Sequence, residues 1–148
     1  MNRQMVLPVG YEDDFVLWIE QQANLLNARQ FEQLDIHHLT EELKAMVGHR
    51  RRELGSRLEV LIMHLLKCQF QPSFKSSSWL NTIDQQRGEI AELVRESPSL
   101  APTIAQVARR RYARARRMAS RETQLDRKEF PSELPYSVQQ LLDDDFVP

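Results

Sequence analysis

From Leu58 to Cys68 the chain reads LEVLIMHLLKC, and its apolar residues cover almost the whole circumference of a helix. A helix apolar along one stripe can lie at a surface, whereas one apolar all round has to be enclosed by other elements. The segment therefore predicts a central rod with the rest of the chain packed around it. The same 3–4 spacing extends backwards through Ile36, Leu39, Leu43, Met46 and Leu54, which places the start of the helix at Asp35, a good N-cap. Its end is expected near Phe70, before Gln71-Pro72. About 35 residues at 1.5 Å each span roughly 50 Å, long for so small a domain. Gly48 is where a bend would cost least.

Shorter helices flank the rod. A first helix is expected from about Tyr11 to Ala28, with Phe15, Trp18, Ile19, Leu25 and Leu26 on one face and Glu12, Asp13 and Asp14 in its first turn. After the rod, Ser77 or Ser78 caps a helix carrying Trp79, Ile83, Ile90 and Val94. A fourth helix starts at Ser99 or Ala101 and shows the narrow apolar face Ile104, Ala108, Tyr112, Ala115 and Ala119. Ser137 to Gln140 forms a capping box for a short last helix. Phe130, Tyr136, Leu141, Leu142 and Phe146 should pin the tail, residues 126–148, to the bundle, while residues 1–10 read as flexible. Strand-like alternation is absent. The expectation is one all-α domain over residues 1–148, a four-helix-type bundle with a long central helix and a short C-terminal helix packed on it.

Composition agrees with that class. The 148 residues are 41% apolar and 28% charged with four glycines, as in a helix-rich globular protein and unlike a disordered chain. Cys68 has no second cysteine to pair with and reads as a small buried hydrophobe. No apolar run before Pro8 is long enough for a signal peptide, and no window approaches the ~20 residues of a membrane span. A cytoplasmic location without membrane contact is the resulting expectation.

An ordered set of short pieces resembles a known group. They run Tyr11-x-x-Asp14-x-x-x-Trp18-x-x-x-Gln22, Leu34-Asp35, Glu41-Glu42-Leu43, and Arg51-x-x-Leu54-x-Ser56-Arg57-Leu58. His64-Leu65-Leu66-Lys67, Gln71-Pro72, Ser78-Trp79-x-x-Thr82-Ile83-x-x-Gln86-Arg87 and Pro98-Ser99-Leu100 follow. Ala119-x-x-Glu122-Thr123 and the ending from Gln140 to Phe146-x-Pro148 complete the set. Together they resemble the bacterial family catalogued as domain of unknown function 29, over about residues 11–148. Gly55 and Cys68 depart from its pattern. The resemblance implies a small helical bacterial protein and brings no activity, cofactor or catalytic residue with it.

Chemistry-bearing motifs are sparse. His37, His38, Glu41 and Glu42 share a helix face but lack the second Glu-x-x-His or cysteine partner of a metal centre. No glycine-rich phosphate loop or nucleophile turn is present, so no catalytic residue, metal ligand or cofactor is assigned. Four polar residues do fall in or beside apolar stripes: Gln22, Arg50, His64 and Arg87. They could line an internal pocket for a polar ligand, or form a network that fixes helix register, or Arg50 could reach solvent past a kink. A buried guanidinium requires a partner, and Glu41, Glu42 and Asp14 are the expected carboxylates for Arg50 or Arg87.

Charge is uneven along the chain. Residues 1–47 carry three bases and eight acids, residues 99–125 seven arginines and Glu122, and the tail from Asp126 two bases and six acids. Arg110, Arg114, Arg117 and Arg121 fall on one ridge of the fourth helix. Such a ridge can track phosphates, or pair with the acidic segments within the domain or across a dimer. Two function classes result: a non-enzymatic protein-interaction or adaptor domain, with a homodimer as one form, and a nucleic-acid-associated regulator. A small-molecule-binding or enzymatic bundle ranks third.

Overall fold

A computed structural model describes residues 7–148, an all-α helical bundle with no strand among the described residues. Five α-helices follow one another: α1 (Phe15–Asn27), α2 (Ile36–Phe70), α3 (Ser77–Glu96), α4 (Ile104–Thr123) and α5 (Val138–Leu142). Short 3-10 turns connect them. The chain divides into two compact units, one ending at Val47 and the other running Gly48–Pro148.

The helix starts are set by side chains that satisfy otherwise unpaired N–H groups. Asp14 accepts from the Leu17 N–H at 3.0 Å, so α1 begins four residues later than Tyr11 and Asp14 caps the helix instead of sitting in its first turn. Asp35 accepts from the His38 N–H at 3.2 Å and opens α2, which continues unbroken to Phe70. Ser76, not Ser77 or Ser78, caps α3. Pro98–Thr103 winds as a 3-10 segment, with Pro102 unable to donate, so α4 is delayed to Ile104. Ser137 and Gln140 cap α5 reciprocally, as their spacing predicts.

In the second unit Leu54, Leu58, Leu61, Ile62, Leu65, Leu66 and Cys68 of α2 are enclosed. Ile83 and Ile90 of α3 and Ile104, Ala108, Tyr112, Ala115 and Ala119 of α4 complete that core. The alanines are small, which lets α4 lie close to its neighbours. From the tail, Phe130, Tyr136 and Leu141 are buried in the same core. Tyr136 O–H donates to Gln69 Oε1 at 2.7 Å, and Tyr112 O–H to the Pro131 carbonyl at 2.6 Å.

The first unit is built differently. Tyr11 packs edge-on to Trp18 and stacks on His38, and the Trp18 indole donates to Asp35 Oδ2 at 3.2 Å. Gln22 Oε1 accepts the Asp35 N–H at 2.8 Å. Trp18 and Gln22 are the two side chains buried in α1; Phe15, Ile19 and Leu26, expected on the core face, stand exposed. The flexibility expected for residues 1–10 falls, at residues 1–6, outside the described residues. Val9 N–H donates to Gln21 Oε1 at 3.0 Å.

Candidate functional site

Of the four polar residues singled out in the sequence, Arg50, His64 and Arg87 belong to the second unit and each has partners of its own. Gln22 is buried in the first unit, where it joins α1 to the start of α2. Arg50 stands at the surface, its side chain 53% exposed, bridging Glu96 at 3.3 Å and Glu53 at 3.6 Å. Its long stem lets the guanidinium leave the apolar stripe, so neither Glu41, Glu42 nor Asp14 is its partner. His64 lies at the edge of the core, its Nδ1 2.9 Å from the Val60 carbonyl. Burial holds the imidazole below its ordinary pKa, helped by Lys67 and opposed by the Val60 bond and Glu122.

Arg87 is buried and meets carbonyls rather than a carboxylate. It donates to the carbonyls of Leu141 (2.9 Å), Gln140 (3.1 Å) and Phe146 (2.8 Å). These groups end α5 and the turn after it, where unpaired carbonyls and the helix dipole both favour a cation. Burial lowers the Arg87 pKa, while Asp144, Asp143 and Asp84 work the other way. Arg87 is therefore a clamp on the tail.

The arginines of α4 are organised by Glu59, a residue that its helical spacing alone does not single out. Glu59 lies in the apolar rod and is 5% exposed. Its Oε2 meets Arg111 Nη1 at 3.1 Å and its Oε1 meets Arg114 Nε at 3.0 Å. Gly55, one turn earlier, makes this possible: a Cβ there would stand 2.7 Å from Arg111 Nε. The glycine that departs from the family pattern is thus the seat of a guanidinium. A single acid inside an all-round apolar segment was the available signal for Glu59, because such a group is tolerated only when paired.

Arg110, Arg114, Arg117 and Arg121 are all exposed, in line along α4. Arg114, Arg117 and Arg121 with Met118 line one shallow hollow. Arg110 and Arg111 line a second, of about 330 Å³, together with Thr103, Gln106, Val107 and, from α2, Arg51, Arg52 and Leu54. The two hollows follow the same side of α4. Among the described residues, Glu59 is the one carboxylate paired with any of these seven arginines. The acidic tail Asp143-Asp144-Asp145 makes no ion pair with them.

A second surface is apolar and belongs to the first unit. Ile36, Leu43, Met46 and Val47 are 50–64% exposed. With Leu39 they occupy a sector of about 100° on α2, next to the sector of Asp35, His38 and Glu42 that meets Trp18 and Tyr11. On α1, Phe15, Ile19 and Leu26 fall within about 40° of one another and are 39–47% exposed. No charged residue interrupts either stripe.

His37, His38, Glu41 and Glu42 do not converge. Glu42 accepts from Tyr11 O–H and His38 Nδ1 lies 2.7 Å from Asp35 Oδ2. Burial pushes the Asp35 carboxyl up, but bonds from the His38 side chain, its backbone and Trp18 outweigh this and hold it below its ordinary value. No helix of the described residues is long and apolar enough to cross a membrane.

No curated protein and no solved structure matches the chain. The family resemblance carried by the ordered pieces has a direct counterpart, for the model of the family described as Domain of unknown function DUF29 matches residues 10–147, nearly the whole length, and the chain belongs to that family.

Proposed function

We propose that this chain is a non-enzymatic protein-interaction domain whose first unit associates with a second copy of itself. The observation that carries the reading is the contrast within that unit. It buries Trp18 and Gln22, yet holds eleven of the thirteen large hydrophobic side chains that stand exposed among the described residues. Scattered exposed apolar residues require no explanation, but aligned ones on two successive helices do.

A second copy is the occupant for reasons of area and symmetry. Phe15, Ile19, Leu26, Phe31, Ile36, Leu43, Met46 and Val47 are each near half-exposed. At very roughly 80–100 Å² apiece they approach the ~800 Å² per partner of a standard interface. Two α1/α2 hairpins supply four helices, the number that encloses a dry core, and a two-fold axis lets one patch meet its own copy. The charge of residues 1–47 works against the pairing, so apolar contact has to dominate it.

Sedimentation across 1–100 µM protein tests this. Concentration-dependent dimers are expected, and Leu43→Asp with Val47→Asp should give monomers with unchanged helical circular dichroism. Raising salt from 50 to 300 mM should tighten the dimer, because it screens like charges. A monomer at 100 µM, or a dimer indifferent to both substitutions, overturns the proposal.

A further inference from the structure

We infer that the arginine-lined side of α4, extended by Arg51 and Arg52 of α2, binds the phosphodiester backbone of a nucleic acid duplex without reading its bases. Four observations converge. The first is number: Arg51, Arg52, Arg110, Arg111, Arg114, Arg117 and Arg121 line two hollows on one side of α4. Against these seven stands the single carboxylate of Glu59. A solvated helix face of ordinary composition carries acids interleaved with its bases, and this side does not.

The second is construction. Glu59 is almost fully enclosed and grips Arg111 through one nitrogen and Arg114 through another. Each guanidinium has five N–H donors in a fixed plane, so each keeps donors free after meeting Glu59. Arg114 remains 67% exposed while held. Glu59 and the bare backbone of Gly55 are thus positioning residues: they hold two arginines in place without cancelling the charge of the other five.

The third is spacing. From Arg110 to Arg121 is eleven residues, roughly 16 Å of helix, about five phosphate steps of one duplex strand at 3.4 Å each. Arginines at 110, 114, 117 and 121 recur once per turn over that length. The fourth is what is absent. Tyr112, the aromatic residue of α4, is buried and donates to the Pro131 carbonyl. No aromatic ring lines either hollow, so single-strand binding by base stacking has no platform here.

The test is anisotropy of a labelled 20-base-pair DNA duplex of arbitrary sequence, titrated with the full chain at 50 and 150 mM salt. Micromolar binding at the lower salt is expected, indifferent to sequence and weakened by salt. Arg110→Gln, Arg117→Gln and Arg121→Gln together should weaken binding at least tenfold. They should also flatten the plot of log Kd against log salt by about 0.9 for each phosphate no longer neutralised. Arg51→Gln with Arg52→Gln should lower affinity by a smaller factor. Arg109→Gln, on another side of α4, removes one charge and should change neither quantity by as much as twofold. These side chains are exposed, so thermal melting should confirm that every variant is folded. No duplex binding at 50 mM salt, or a triple variant that binds as the parent does, overturns the inference. So does a polyglutamate of equal charge that binds more tightly than the duplex, which would assign the surface to an acidic protein segment. Salt weakens this binding and strengthens the proposed dimer, so the two can fail separately.

Discussion

The two halves of α2 share one helix and one apolar register, yet have opposite fates. Leu54, Leu58, Leu61 and Leu65 are fully enclosed, while Ile36, Leu43, Met46 and Val47 are half or more exposed. Arg50 falls between them in the stripe and turns out to Glu96 and Glu53. The difference lies in what surrounds each half. From Leu58 to Cys68 the apolar residues encircle the helix, and α3, α4 and the tail supply matching faces. Before Gly48, one stripe exists, and the contacts with Trp18 and Tyr11 use the sector beside that stripe. Equal spacing of leucines thus says that a face can be buried, and says nothing of which molecule buries it.

The sharpest way to break the comparison is a truncation in the enclosed half. Leu61→Ala should cost about 2–5 kcal/mol by leaving a cavity in a dense core, read as a lower denaturant midpoint in urea. A cost under about 1 kcal/mol would mean the enclosed half is loosely packed and the contrast overstated. Next in size is Arg87→Met, which leaves three tail carbonyls without their donor. A loss of about 2–4 kcal/mol is expected, with faster amide exchange confined to residues 138–148. Unchanged exchange there would show that Phe130, Tyr136 and Leu141 hold the tail unaided.

A subtler probe is Gly55→Ala. Removing a glycine from a helix interior gains about 1 kcal/mol, but the new methyl displaces Arg111 from Glu59. Losing one charged bond to a buried carboxylate costs about 1.5–3 kcal/mol, so a net loss near 1 kcal/mol is expected. A stabilised variant would mean that the Arg111–Glu59 bond is worth less than the about 1 kcal/mol gained by removing the glycine.

Most of the architecture was legible because it rests on short-range rules. The face of α4, Ile104-Ala108-Tyr112-Ala115-Ala119, is buried as its spacing predicts, and Ser137 caps α5. The features that were not legible depend on long-range partners. The stem length of Arg50 lets it leave its stripe, a freedom no helical wheel encodes. The partner of Arg87 is the backbone of residues more than 50 positions away, and carbonyls have no sequence signature. Glu59 and Gly55 acquire meaning only once Arg111 lies over them. The basic surface was half visible, since the spacing of α4 disclosed its ridge, but only packing adds Arg51 and Arg52.

A pH titration sharpens the contrast at the edge of the enclosed half. The folded pKa of His64 is depressed, so the unfolded chain binds more protons and stability rises with pH across this group. Its contribution is complete above about pH 6.5, the ordinary histidine value, and is lost as pH falls through the folded pKa. Urea midpoints at pH 7.5 and 5.0 should therefore differ less in His64→Gln than in the parent. An unaltered difference would show that His64 contributes nothing to the acid sensitivity in this range, which lies above the window in which a carboxylate such as Asp35 acts.

The smallest expected effect is the most discriminating. Leu43 is 63% exposed, so at 1 µM protein Leu43→Ala should change the midpoint by under about 0.5 kcal/mol, against several for Leu61→Ala. If a second copy covers the stripe, that near-equality holds only in dilute solution. Binding of folded protein to folded protein adds stability that grows with concentration, and a variant with a weaker interface gains less of it. At 100 µM the parent should therefore melt above its own 1 µM value, and Leu43→Ala should recover only part of that rise. The same rise in both proteins would place the contact elsewhere, and the open half of α2 would then be open in the dimer as well.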